Sequence, residues 1–114
     1  MCLFRKKKAS QKAKEDNNLV SENSRSVEAL IILAGQSKDE NRDAIVKDFK
    51  QLQEKLKYLI PSDDEKVREY DKKIKNLIED LRIALVKDDG ELSSKASKIV
   101  TQIKLAIADR NAKV

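Results

Sequence analysis

From Asn18 onward, apolar residues recur at alternating steps of three and four, the spacing that lines one face of a helix with about 3.6 residues per turn. A first stripe reads Val20, Ser24, Val27, Ile31, Ala34 and stops at Gly35, a residue suited to the left-handed conformation that closes a helix. A second reads Ile45, Phe49, Leu52, Leu56, Leu59 and runs up to Pro61, which disfavours helix in the residue before it. The third is Val67, Tyr70, Ile74, Leu77, Leu81, Ala84, widened by Ile78 and Leu85 and ending around Gly90. The last is Leu92, Ala96, Ile99, Ile103, Ala106, with Val100 and Ile107 beside it.

The breaks carry start signals as well as stops. Ser37 with Glu40, and Ser62 with Glu65, have the Ser-x-x-Glu spacing of a capping box, in which hydroxyl and carboxylate satisfy free backbone N–H groups. Asp63, Asp64 and Glu65 also set negative charge against the positive end of the helix that follows. Short connections make successive helices antiparallel neighbours, so the pattern predicts an all-α fold, an antiparallel up-down-up-down four-helix bundle. The alternative is a three-helix core with the first helix loosely docked or swapped between two chains. Leu30, Ile32, Leu33, Val46, Ile83, Val86 and Leu105 fall outside the narrowest stripes, and each must either widen the core or remain exposed.

Composition agrees with this pattern. A chain of 114 residues, 39% hydrophobic and 39% charged, supports one small core, and two glycines and one proline leave little for a turn-rich sheet. The longest apolar run, Ala29–Ala34, is far short of the roughly 20 residues that span a membrane. No secretory pattern is evident at the start, where a basic run leads into polar sequence. A cytoplasmic chain is expected.

Charge changes the picture at one end. Residues 1–14 hold six bases and no acid, so the net charge of +5 sits in the opening stretch, and the remaining chain has 19 bases against 20 acids. Residues 1–17 are expected to form a disordered basic tail, and 18–114 a single bundle domain. Leu3 and Phe4, followed by Arg5, Lys6, Lys7 and Lys8 and then by Lys12 and Lys14, are the candidate contacts for an anionic membrane surface or another anion. Cys2 would add an acyl chain only where such thiols are modified. Nucleic acid ranks below a membrane, because no aromatic follows Phe4 among the basic residues to stack on bases.

Catalytic chemistry finds no support. The chain has no histidine and one cysteine, which removes Cys/His zinc sites and the Glu-x-x-His pairs of a di-metal bundle. Glu54, Glu65, Glu69, Glu79 and Glu91 fall off the stripes and read as solvated charges. Asp43 with Lys47, Glu69 with Lys73 and Asp71 with Lys75 stand four apart in the order that favours surface pairing. The segment Asp63–Lys73 lacks the Asp-x-Asp-x-Asp-Gly pattern of a calcium loop, and neither glycine belongs to a phosphate-binding loop. No serine stands three residues before a lysine in Glu91–Lys98, and Cys2 lacks a fixed base. The expectation is a non-catalytic interaction or scaffolding module without a cofactor, metal or small-molecule substrate. Its partner would be protein, either a second copy or another chain, and the runner-up is a peripheral membrane protein held at the inner membrane surface by its tail.

Overall fold

The computed structural model describes residues 19–114 in full, and the disordered tail expected over residues 1–17 lies outside the described residues. Four helices follow in order: α1 (Cys2–Gly35), α2 (Arg42–Lys57), α3 (Glu65–Lys87) and α4 (Leu92–Lys113). No strand occurs among the described residues. Helices of this length are marginal alone in water and gain their stability by burying an apolar face. Here all four faces meet in one cluster, which includes Val27, Leu30, Phe49, Leu52, Leu56, Ile74, Leu81, Leu92 and Ile103. With Val20, Val27, Leu30 and Ala34 buried in that cluster, α1 is an integral wall of the bundle rather than a loosely docked segment.

The helices alternate in direction as predicted, but their order around the bundle is not sequential. α1 packs on α2 and α3 packs on α4, giving two helical hairpins, and the hairpins join through α1 on α3 and α2 on α4. Among the described residues α2 and α3 share no contact and stand at diagonal corners. Asn23 meets Asp71 near one end and Ser37 meets Asp88 near the other, so α1 and α3 run parallel. The same holds for α2 and α4, whose first turns meet at Asn41 and Ser93, while Arg110 near the end of α4 reaches Ile60 just past the end of α2. Residues 58–64 therefore cross the end of the bundle diagonally, and Leu59 within them turns into the core.

Local signals differ from the spacing rules in four places. α2 starts at Arg42 with Asn41 as N-cap, not at Ser37, whose hydroxyl instead accepts from the Asp39 N–H (3.1 Å) and donates to Asp88. α3 is capped by Asp64, whose carboxylate accepts from the Lys66 N–H (2.8 Å), while Ser62 accepts one step earlier from the Asp64 N–H. A carboxylate at the N-cap adds charge to the same hydrogen bond, which is why Asp64 displaces the serine. Gly35 ends α1 without entering the left-handed region, and only Gly90 among the glycines has positive φ, at 84°. Closure of α3 falls to Asp88, at φ 42°, a residue whose short polar side chain tolerates that conformation.

Along α1 the buried register is Val20, Asn23, Val27, Leu30 and Ala34, so Asn23 replaces the predicted Ser24 at the core. Of the surplus apolar residues, Leu30 is buried, Leu33 and Val46 pack partly against the core, and Ile32, Ile83, Val86 and Leu105 are exposed.

Candidate functional site

Two charged residues stand in the apolar stripes. Asp71 lies four past Val67, and Arg110 lies seven past Ile103, so helical spacing turns both inward. Arg110 is 0% exposed and Asp71 1%. The guanidinium Nε donates to Asp71 Oδ1 at 2.7 Å and Nη2 to Asp71 Oδ2 at 3.3 Å, a two-pronged geometry that matches the planar faces of both groups. Nη2 also donates to the Ile60 carbonyl at 2.8 Å, and the Asn23 amide donates to the Asp71 carbonyl at 3.1 Å. One arginine thus ties α4 to α3 and to the diagonal crossover, and Asn23 adds α1. Nη1 is buried without a hydrogen bond among the described residues. The predicted surface pair of Asp71 with Lys75 is overturned, because Asp71 faces the core and Lys75 faces solvent. The other two predicted pairs, Asp43 with Lys47 and Glu69 with Lys73, close no ion pair among the described residues, and Asp43 instead approaches Arg42 at 3.7 Å.

At the opposite end the two hairpins are clasped by Asp88. Its carboxylate accepts from the Ser37 hydroxyl at 3.0 Å and from the Lys38 N–H at 3.3 Å. Beside it, the Asp89 carboxyl is held below its ordinary range, first by the Glu91 backbone N–H and then by the Lys95 ammonium. Lys95, between Asp89 and Glu91, is correspondingly raised, chiefly by its hydrogen bond to Asp89. These groups close the helix ends and leave no converging set of carboxylates: among the described residues no group of three metal-ligating side chains occurs. Glu54, Glu65, Glu69, Glu79 and Glu91 are all exposed.

The outer seam between α3 and α4 differs from the rest of the surface. Near the α3 start, a cleft of about 460 Å³ is lined by Lys66, Glu69, Tyr70, Lys73 and Lys113. Farther along the same pair of helices, a second of about 360 Å³ has Ile83, Ala84 and Ile99 among its walls, with Asp80, Lys87, Lys95 and Lys98 around them. Lys66, Lys73, Asp80 and Lys87 are seven residues apart, so they form one line along α3, and Leu105 stands seven past Lys98 on α4. Ile83 is 43% exposed and Leu105 62%. Apart from Lys95, the seam lysines form no ion pair among the described residues. In the furrow between α1 and α3, by contrast, Arg82 is paired with Glu79, which draws the Glu79 carboxyl below its ordinary range.

The candidate contacts picked from the opening stretch, Leu3, Phe4, Arg5, Lys6, Lys7, Lys8, Lys12 and Lys14, lie outside the described residues. No helix among the described residues is long and apolar enough to cross a membrane. The Asp71–Arg110 pair was missed from sequence although the signal was present, as two opposite charges at core positions of neighbouring stripes. No family model, no curated protein and no solved structure matches this chain.

Proposed function

We propose that this chain is a non-catalytic interaction or scaffolding module that binds protein, a second copy of itself or another chain, through the outer face of its α3–α4 hairpin. The observation that carries this is the pair of apolar residues left uncovered there, Ile83 and Leu105, on helices whose inner faces are fully packed. Contiguous exposed apolar surface rimmed by polar residues marks protein-binding sites, and this reading takes the outer face of the hairpin as one. The test is sedimentation equilibrium of the full chain over a wide concentration range, with affinity capture on the immobilised chain, each repeated with Ile83→Ser/Leu105→Ser. Self-association or capture lost in that variant, at unchanged helicity, supports the proposal. Association that survives it, or none in either form, refutes it.

A second function is peripheral attachment to an anionic membrane through the basic opening stretch. It is favoured by the exposure of Tyr58, Ile60 and Val114 at the end of the bundle where Leu19 leads into α1's packed face. Replacing Arg5, Lys6, Lys7 and Lys8 together by Gln should abolish salt-sensitive pelleting with anionic vesicles. Pelleting unchanged by that replacement rules the tail out as an anchor.

A further inference from the structure

We infer that the α3–α4 seam is built for one occupant, an acidic amphipathic helix of another protein; this rests on the interaction function proposed above and adds the chemistry of the partner. From Lys66 to Lys87 the seam is about 30 Å long at about 1.5 Å per residue, the length of a helix of five to six turns. A helix laid along it would present side chains at the same seven-residue period as Lys66, Lys73, Asp80 and Lys87. Carboxylates opposite Lys66, Lys73 and Lys87 meet three ammonium groups, none of them in an ion pair among the described residues, while the position opposite Asp80 takes a residue without negative charge. Leucine-sized residues between those acids meet Ile83, Ala84 and Ile99, which line the second cleft of the seam.

Other occupants fit less well. The chain's own opening stretch is basic and would be repelled by the seam lysines. A second copy placed antiparallel, seam to seam, would pair Lys73 with Asp80 but set Lys66 against Lys87, leaving the surplus of positive charge uncompensated. Single-stranded nucleic acid gains affinity by stacking bases on aromatic rings, and Tyr70 is the single aromatic in the seam. An apolar floor between charged rims is instead the arrangement by which grooves take amphipathic helices, with apolar anchors at positions i, i+3, i+4 and i+7.

The test uses the full chain and a fluorescein-labelled helical peptide about 20 residues long, with leucine on one face, glutamate flanking it and alanine elsewhere. Fluorescence anisotropy should show saturable binding that weakens with salt, and no binding of the same peptide with lysine in place of glutamate. Lys73→Glu/Lys87→Glu should weaken binding by roughly tenfold or more, and Ile83→Ser severalfold, while Lys75→Glu on the α1 side should leave it unchanged. All four positions are exposed, and circular dichroism confirms that each variant is folded. The inference is overturned if the acidic peptide fails to bind or binds the seam variants as tightly as wild type. It is equally overturned if oligothymidylate binds more tightly than the peptide and is indifferent to Ile83→Ser. Should the peptide fail while Ile83→Ser abolishes self-association of the chain, the interaction function survives and only the partner chemistry is wrong. A chain that neither binds the peptide nor associates or captures protein through this face loses both.

Discussion

Replacing Asp71 by Ala leaves the Arg110 guanidinium buried beside the Ile60 carbonyl with its charge uncompensated. Removing one member of a buried ion pair costs about 3–5 kcal/mol, because the remaining charge keeps its desolvation penalty and loses its partner. A domain of this size has roughly 5–15 kcal/mol of stability in total, so the single variant forfeits a large share of it. Arg110→Met should likewise destabilise, since it leaves the Asp71 carboxylate buried without its partner. Replacing both, Asp71→Leu with Arg110→Met, removes two desolvated charges and fills the space with apolar atoms. That change is expected to lie within about 1–2 kcal/mol of wild type, or above it, as buried pairs exchanged for apolar residues generally do. Urea unfolding followed by far-ultraviolet circular dichroism gives these stabilities, and with the single variant Asp71→Leu added it gives the coupling between the two sites. An Asp71→Ala cost below about 1 kcal/mol, or single and double effects that simply add, would refute the burial and pairing described here.

Three further outcomes follow from the same structure. Asp88→Ala should destabilise by about 1–3 kcal/mol in urea, since it strands the Ser37 hydroxyl and places alanine in the left-handed region, and Asp88→Asn should recover part of the loss. In carbon-detected NMR titration Asp89 should lose its proton below the ordinary aspartate range, and remain low in Lys95→Met, because the Glu91 N–H is the larger cause. A depressed carboxyl favours the folded form above its unfolded pKa, so this contribution should disappear as pH falls through the folded-state value, not as pH rises. Phe49→Ala, at a position with no solvent exposure, should cost about 3–5 kcal/mol, whereas Ile83→Ser should stay within about 0.5 kcal/mol of wild type in the same urea assay.

Much of the bundle was legible in its spacing. The second stripe, from Ile45 to Leu59, is buried at every position, and the α3 and α4 stripes fail only at Tyr70, Leu77 and Ile99, which sit half-exposed at their edges. What the spacing does not encode is which helix lies beside which, since an apolar face is equally satisfied by any neighbour. The diagonal placement of α2 and α3 is tied instead to polar residues, with Arg110 bonded to the Ile60 carbonyl at the crossover. Charged residues at core positions interrupt an apolar stripe, so apolar spacing passes over them. Asn23 lies three past Val20, yet its polarity made Ser24, one step on, an equal candidate. Helix starts slipped for a related reason: Ser62, Asp63 and Asp64 are all competent caps, and only the packed chain decides among them. The seam could be anticipated in part, because Ile83 and Leu105 stood off the stripes, but not its lysine line, which exists only once α3 and α4 are side by side.

The most direct test of the seam as the binding surface is an amide NMR titration of the full chain with the acidic amphipathic peptide. Shift changes concentrated along α3 from Lys66 to Lys87 and along α4 from Lys95 to Lys113 are the predicted result. Changes centred on Tyr58 and Ile60, or an unperturbed spectrum at saturating peptide, would contradict it.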